Sequence, residues 1–142
     1  MLVSTKGRYA LRILIELAKY EPDQYIRLDF IATTQDISEK YLENIARILV
    51  KAGMLEGLRG RGGGYRLTRK PEDYSVGEIL KLTEGSLAPV SCLDCDVNQC
   101  DRAADCQTLP MWKKLDELIG GFLDSVSLKD LCQPRETEEK DS

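Results

Sequence analysis

The sequence predicts a mainly α-helical protein that carries one small β-hairpin. Three observations support this fold class. Apolar residues recur at spacings of three and four along several stretches, as on one face of a helix. The glycine-rich run RGRGGG separates two short β-type segments. No apolar run reaches the roughly 18 residues of a membrane span.

Three helices are predicted in the first third of the chain. The first runs from about Lys6 to Lys19 and is apolar nearly all round, which is typical of a central helix. The second is short, at about 28–34. Ser38 caps the third, which runs to about Ala52 before Gly53 ends it.

The hairpin comes next, with β segments at 54–58 and 65–68. Ser75 caps a helix at about 76–84. A long helix is predicted at about 109–125, and Ser127 caps a last turn. Without an apolar face, the charged tail at 132–142 is predicted to be disordered.

Composition closes the usual catalytic routes. The chain of 142 residues has no histidine, which removes the commonest general base and every Ser-His or Cys-His nucleophile pair. Its net charge of −4 divides into +3 for residues 1–75 and −7 for residues 76–142. The N-terminal MLVSTKGRY has no apolar signal region, so we expect a cytoplasmic protein with no membrane partner. The missing histidine closes the usual catalytic routes, and we expect no enzymatic activity.

Three helices followed by a hairpin is the order of a winged helix-turn-helix. In that arrangement the third helix enters the major groove of DNA, and the hairpin tip, or wing, lies on the backbone or in the minor groove. Arg59 and Arg61 supply charge at the tip. Taken alone, the glycines also fit an ordinary tight turn and the third helix a solvated charged face. A phosphate-binding loop is disfavoured because the glycines lead into a strand.

Four motifs resemble the Rrf-two family of bacterial transcription regulators: STKGRYALR, ISEKYLENIARILVKAGML, RGRGGGYRL and VGEIL. The resemblance covers about residues 1–131 and implies a homodimer that binds a palindromic operator in double-stranded DNA. Together with the residue pattern, it predicts DNA contacts from the third helix and the wing. The predicted contacts are Ser38, Lys40, Tyr41, Glu43, Asn44, Arg47, Arg59, Gly60, Arg61, Gly62, Gly63, Gly64 and Tyr65.

Four of the five cysteines are clustered, with the spacing Cys92-x2-Cys95-x4-Cys100-x5-Cys106. Thiolates are soft donors for iron or zinc, and a loop lets several converge. An iron–sulfur cluster is the first interpretation. Zinc ranks behind it because only one Cys-x-x-Cys pair is present. Thiol redox sensing without metal and purely structural cysteines stay open. Cys132 is predicted not to be a ligand.

The family resemblance implies three cluster ligands, Cys92, Cys100 and Cys106, ahead of a helix with a tryptophan near its start. The fourth ligands known in the family are a histidine, where this chain has Leu109, and an aspartate of the N-terminal helix, near the position of Arg8 in this chain. Cys95 is the candidate replacement and departs from the family pattern. Spacing does not separate a two-iron from a four-iron cluster. Other candidates for the fourth ligand are Asp94, Asp96, Asp101, Asp105 and an exogenous small molecule.

The long C-terminal helix carries a wide apolar stripe and has no second core to pack on, which favours a partner helix from another subunit. The predicted dimer interface comprises Leu109, Trp112, Leu115, Leu118, Ile119, Phe122 and Leu123. The expected organisation is a DNA-binding domain at 1–85, a cysteine-rich sensor loop at 86–108, a dimerisation helix with its final turn at 109–131, and the tail.

The sequence therefore predicts a transcription regulator that senses iron–sulfur status, iron or redox stress. Two alternatives remain. One is a cluster-free regulator of the cysteine-metabolism type, controlled by a partner protein or by thiol redox state. The other is an electron-transfer or cluster-carrier protein, which would need neither a recognition helix nor a basic wing.

Overall fold

The computed structural model describes residues 3–90, 93 and 105–133. The predicted helices and hairpin are all present, with ends within about two residues of the expected ones. A short 3-10 turn at Pro71–Asp73 was not predicted. The elements are α1 (Thr5–Leu17), α2 (Leu28–Gln35), α3 (Glu39–Lys51), β1 (Leu55–Leu58), β2 (Gly64–Leu67), α4 (Val76–Glu84), α5 (Leu109–Ser125) and α6 (Leu128–Leu131).

Helix α1 lies at the centre of the main core, as its apolar surface predicts. Ile13 and Leu14 are almost fully buried, and they belong to one cluster with Leu42, Ile45 and Leu49 of α3. The periodicity did not indicate that a charged residue of α1 is also buried: Glu16 is only 2% exposed. The core therefore holds a carboxylate next to the helix-turn-helix.

The turn between α2 and α3 is fixed by local hydrogen bonds. Asp36 adopts a left-handed conformation with φ of 54°, which aspartate tolerates better than most residues. The Ile37 N–H donates to the Ala32 carbonyl oxygen at 2.9 Å. Ser38 caps α3 as predicted, with its Oγ accepting from the Tyr41 N–H at 3.5 Å. These bonds set the angle at which α3 leaves the turn.

The hairpin is antiparallel, with Leu55 opposite Leu67 and Leu58 opposite Gly64. A third segment joins it, because Ile26 and Tyr65 exchange two backbone hydrogen bonds of 2.9 and 2.8 Å. Ile26 precedes α2, so this bridge ties the wing to the helix-turn-helix. The pairing is long-range and was not visible in the sequence.

Tyr74 anchors the base of the hairpin. Its side chain is 1% exposed, and its hydroxyl donates to the Met54 carbonyl oxygen at 2.6 Å. The Thr68 N–H donates to the same hydroxyl oxygen at 3.0 Å. Because every polar atom of a buried tyrosine needs a partner, this arrangement holds the end of β2 against the start of β1.

The C-terminal helices α5 and α6 pack on the preceding part of the chain. The Val76 N–H donates to the Val126 carbonyl oxygen at 2.8 Å, and the Leu128 N–H donates to the Tyr74 carbonyl oxygen at 3.0 Å. Leu128 lies in the main core. The expectation that α5 has no core to pack on is therefore wrong for one face of the helix, which contacts α4 through Leu123. The helix packs on α4 because these bonds hold its C-terminal end there.

No helix in the described ranges is both long and apolar enough to cross a membrane. The predicted tail falls almost wholly at 134–142, outside the described residues.

Candidate nucleic-acid interface and cysteine segment

The face of α3 that points away from the core carries the predicted base-reading residues. Lys40, Glu43, Asn44 and Arg47 are all exposed. The Arg47 guanidinium donates to Asn44 Oδ1 at 3.4 Å. This face presents both donors and an acidic acceptor, which is the mixture needed to distinguish base edges in a major groove.

Tyr41 is held by α1 instead of standing free on that face. Its hydroxyl lies 2.9 Å from Thr5 Oγ1, and its ring meets the Tyr9 ring edge-on with centroids 5.5 Å apart. The side chain is half-buried. Tyr41 stays a predicted DNA contact, but the structure also gives it a second role in joining α3 to α1.

The wing glycines differ in what they do. Gly60 and Gly62 have φ of 93° and 77° and face open space, so they serve the turn itself. At Gly63 and Gly64 a side chain would collide with backbone. A Cβ would lie 2.2 Å from the Leu58 oxygen at Gly63, and 2.2 Å from the Ile26 oxygen at Gly64. These two allow close packing of the wing.

An open cleft of about 560 Å³ separates α3 from the wing. Glu43 and Arg47 line one side, and Arg59 and Tyr65 line the other. Predicted contacts from two distant parts of the sequence thus share one surface. Arg61 is exposed at the wing tip. The cleft walls also include Val50 and Leu58, which are 37% and 49% exposed and which periodicity did not single out.

Arg27 is a further cation beside the wing that sequence reasoning missed. It lines a shallow cleft with Glu39 and Gly60, and its side chain is 76% exposed. Its guanidinium pairs with Asp29 at 3.0 Å, and that hydrogen bond lowers the pKa of the Asp29 carboxyl. The sequence did not indicate that Arg27 lies near the wing, because only the Ile26–Tyr65 bridge brings the start of α2 to the hairpin.

The cysteine segment is described only at its end. Cys92, Cys95 and Cys100 lie outside the described residues, so the arrangement of the predicted ligands stays a prediction. Cys106 is half-buried just before α5, and its Sγ lies 3.4 Å from Thr108 Oγ1. Four thiols within fifteen residues are a donor set that suits iron or zinc. The residues present therefore fit such a group.

Cys132 lies at the C-terminal end of α6 and is exposed. Desolvation raises the pKa of its thiol, although nearby Lys19 acts in the opposite direction. That Cys132 is not a ligand stays a prediction.

The predicted dimer interface of α5 divides between two faces. Leu115, Leu118 and Phe122 are exposed, by 37%, 59% and 66% of their surface. Met111, which the prediction omitted, is 54% exposed and extends the same stripe at spacings of four, three and four. Other predicted interface residues are at least half-buried within the chain: Leu109, Trp112, Ile119 and Leu123.

The buried side of α5 packs on α4. Leu123 and Val126 contact a small cluster formed by Val76, Leu80 and Leu87. Leu109 is only 7% exposed within the protomer. Since its side chain is already covered, Leu109 contributes to intrachain packing. Within the described residues, the stripe of Met111, Leu115, Leu118 and Phe122 is the apolar face of α5 that stays exposed.

Comparison with known proteins agrees with this architecture. A family model described as Rrf2, an iron-dependent transcriptional regulator, matches residues 3–134. The chain belongs to the Rrf2 family. The HTH-type regulator CymR of Bacillus subtilis is 36% identical over 140 residues, covering 99% of this chain and 96% of CymR. IscR of Aliivibrio salmonicida is 33% identical over 139 residues, covering 98% and 82%.

Solved structures of Rrf2 regulators share the fold. The structure of CymR, the global cysteine regulator of B. subtilis, has a TM-score of 0.75 at 35% identity, covering 93% of this chain and 96% of CymR. The structure of T. potens IscR has a TM-score of 0.74 at 34% identity, covering 98% and 91%. The predicted fold class of helices with a hairpin wing is confirmed. This Rrf2 protein is a DNA-binding transcription regulator and not an enzyme.

Proposed function

We propose that this Rrf2 regulator works as a homodimer on a palindromic operator and senses iron–sulfur or redox status through a cluster. Cys92, Cys100 and Cys106 would hold the cluster, with Cys95 as the fourth ligand. The observation that carries the proposal is the placement of four cysteines directly before α5, ending at Cys106. A regulator of this kind acts on genomic DNA in the cytoplasm.

DNA reading is divided between two elements in this proposal. The exposed face of α3 enters the major groove, where Glu43 accepts from a cytosine amino group and rejects other bases. Arg59 reaches the minor groove from the wing, and Arg61 contacts phosphate. The shared cleft between α3 and the wing supports simultaneous contact, because both sets of side chains open onto it.

The homodimer would form through the exposed stripe of α5. Four large apolar side chains on one helix face would otherwise stand in water, and a second copy of the same stripe covers them by two-fold symmetry. Two recognition helices related by that two-fold axis would enter successive major grooves about 34 Å apart, one turn of DNA. A palindromic operator follows from the two-fold symmetry.

Contacts at the start of α1 link the cysteine segment to α3. Glu84 ends α4, just ahead of the segment, and its Oε1 accepts from Ser4 N–H at 2.9 Å and Ser4 Oγ at 2.7 Å. The next residue, Thr5, contacts the Tyr41 hydroxyl. A bound cluster would supply a redox-sensitive group that orders the thiolates. A displacement of Glu84 would then be transmitted to the recognition helix through Ser4 and Thr5.

A second candidate is a cluster-free regulator controlled by a partner protein or by thiol oxidation. The similarity to the cysteine regulator CymR favours it, as does the charge of −7 on residues 76–142, which suits a contact with a basic protein surface. Zinc is the remaining metal candidate for the same thiols.

Anaerobic purification separates these candidates. We expect a coloured protein with visible absorption bands and with iron and acid-labile sulfide in comparable amounts. Cys106→Ser should lose the colour and the iron, while the matched control Cys132→Ser should keep both. A colourless wild-type protein without iron, even after reconstitution, would exclude the cluster and leave zinc or thiol sensing, which a zinc assay distinguishes.

Arg59→Ala is expected to weaken binding to duplex DNA and to flatten its salt dependence. Each lost phosphate contact lowers the slope of log K against log salt by roughly 0.9. The measurement is a salt titration of the binding constant by fluorescence anisotropy. Lys70→Ala, which removes an exposed cation beyond β2 and away from the wing tip, should leave the slope unchanged. An unchanged slope for Arg59→Ala would mean that Arg59 does not lie close to the phosphates that border the minor groove.

A further inference from the structure

The buried carboxylate of Glu16 lies outside every surface described so far. Among the described residues it is the one charged side chain in the buried set, on a helix that otherwise buries apolar groups. An unpaired buried charge is costly, so such a group persists only with good partners. Its partners identify what it is for.

Three donors surround Glu16. Lys19 Nζ and Gln35 Nε2 each donate to Oε1 at 3.0 Å, and the Tyr20 hydroxyl donates to Oε2 at 3.1 Å. Burial by itself would raise the pKa of this carboxyl. The hydrogen bonds from Lys19, Gln35 and Tyr20 outweigh burial and hold the pKa below its ordinary value. Glu16 is therefore ionised at neutral pH and binds its donors as a charged acceptor.

Gln35 is held at both ends of its amide. Its Nε2 donates to Glu16, while its Oε1 accepts from Arg12 Nε at 2.9 Å. A second nitrogen of Arg12 donates to the backbone oxygen of Gln35. Gln35 is the last residue of α2, next to left-handed Asp36. Two side chains of α1 thus clamp the residue at which α2 turns toward α3.

The same face of α1 continues to the recognition helix. The Arg12 guanidinium lies 5.3 Å from the Tyr9 ring centroid, and Tyr9 contacts Tyr41 of α3. Thr5 contacts the Tyr41 hydroxyl at the end of this line. Thr5, Tyr9, Arg12 and Glu16 are spaced by four, three and four residues, so they form one helix face. That face touches the chain on both sides of the helix-turn-helix turn.

We propose that Glu16, Arg12 and Gln35 are positioning residues for sequence-specific DNA reading, which fix the turn and α3 against α1. This inference rests on the proposed role of α3 in reading bases. Hydrogen bonds to base edges form only when α3 is held in one position. Long Lys and Arg side chains can reach phosphates from several positions of the helix. Loss of the clamp therefore costs discrimination between duplexes more than it costs non-specific affinity.

A charge-swap experiment tests the clamp. Gln35→Glu places a second carboxylate against Glu16 and breaks their hydrogen bond. The double variant Glu16→Gln/Gln35→Glu restores an amide–carboxylate pair in the reverse direction and leaves an acceptor for Arg12. Tyr20→Phe is the matched control, because it removes a donor from Glu16 and keeps the ring that packs against Phe30 of α2. Thermal unfolding of each full-length variant monitors folding.

The probes are a duplex selected by the wild-type protein from a randomised library and a scrambled duplex of equal length. For Gln35→Glu we expect the ratio of the two affinities to fall by about tenfold, the effect of one mismatched base pair. The swap should regain most of that ratio, and the salt slope on scrambled DNA should not change.

Two outcomes would overturn the proposal. One is that Gln35→Glu and Glu16→Gln both keep the wild-type ratio of affinities for the selected and the scrambled duplex. The other is a swap that folds but regains nothing. If Gln35→Glu does not fold, the comparison of Glu16→Gln with the double variant still tests the proposal. The double variant should then show the higher ratio of affinity for the selected duplex to affinity for the scrambled one. A wild-type protein that selects no duplex at all would instead refute the proposed function itself.

Discussion

Replacing Phe122 with glutamate is expected to separate the two subunits and to lower operator affinity by about a hundredfold or more. Phe122 is the most exposed large apolar residue of the α5 stripe, at 66%. Because both subunits of a two-fold dimer carry the substitution, two glutamate carboxylates would lie in the apolar contact, and neither has a partner there. A separated subunit binds one half-site without the second subunit linked to it, and that link is worth a factor of about 10²–10⁴ in affinity.

Analytical ultracentrifugation of the purified protein measures the first effect, and anisotropy with a selected duplex measures the second. Lys113→Glu is the matched control, because it introduces the same residue at an exposed position of α5 outside the stripe. It should remain dimeric. If Phe122→Glu sediments as a dimer of wild-type stability, the subunits meet through another surface and the stripe needs a different occupant.

Gly64→Ala is expected to destabilise the protein by about 2 kcal/mol or more and to abolish specific DNA binding. The residue has a φ of 142°, and its added Cβ would lie 2.2 Å from the oxygen and 2.4 Å from the carbon of the Ile26 carbonyl. Backbone strain of this kind costs on the order of 1–3 kcal/mol, and the Ile26–Tyr65 hydrogen bonds would also be lost. The wing would then part from α2.

Gly62→Ala provides the comparison within the same loop. Its φ of 77° also disfavours a side chain, but a Cβ there meets nothing within 4 Å. We expect a cost of only about 1 kcal/mol and retained, weaker binding. Thermal unfolding and DNA binding of both variants provide the measurement. Equal losses in the two variants would show that loop conformation alone matters and that contact with Ile26 does not.

Local patterns were sufficient to predict the elements. The run of apolar residues in 6–19 identified the central helix, and Ser38 and Ser75 identified helix starts that the structure confirms with hydrogen bonds. The glycine run identified the hairpin. These features are encoded by neighbouring residues, since helix periodicity, capping and turn preference act over a few positions.

Features that depend on residues far apart in the chain were not predictable in the same way. The apolar pattern of the first helix gave no sign that Glu16 is buried, because its partner Gln35 belongs to another helix. Likewise, the stripe of α5 was predicted as one interface. Only the packing of Leu123 and Val126 on α4 divides it into a covered face and a free one.

The sequence by itself determined the order of helices and wing, the basic residues of the wing, and the cluster of cysteines before α5. Each of these is written in residue type and spacing along one segment. The tertiary structure decided which wing glycines contact backbone, that Arg27 stands beside the wing, and that α1 clamps the turn ahead of the recognition helix. These contacts join segments brought together only by folding, because burial and hydrogen bonding across the core depend on three-dimensional distance.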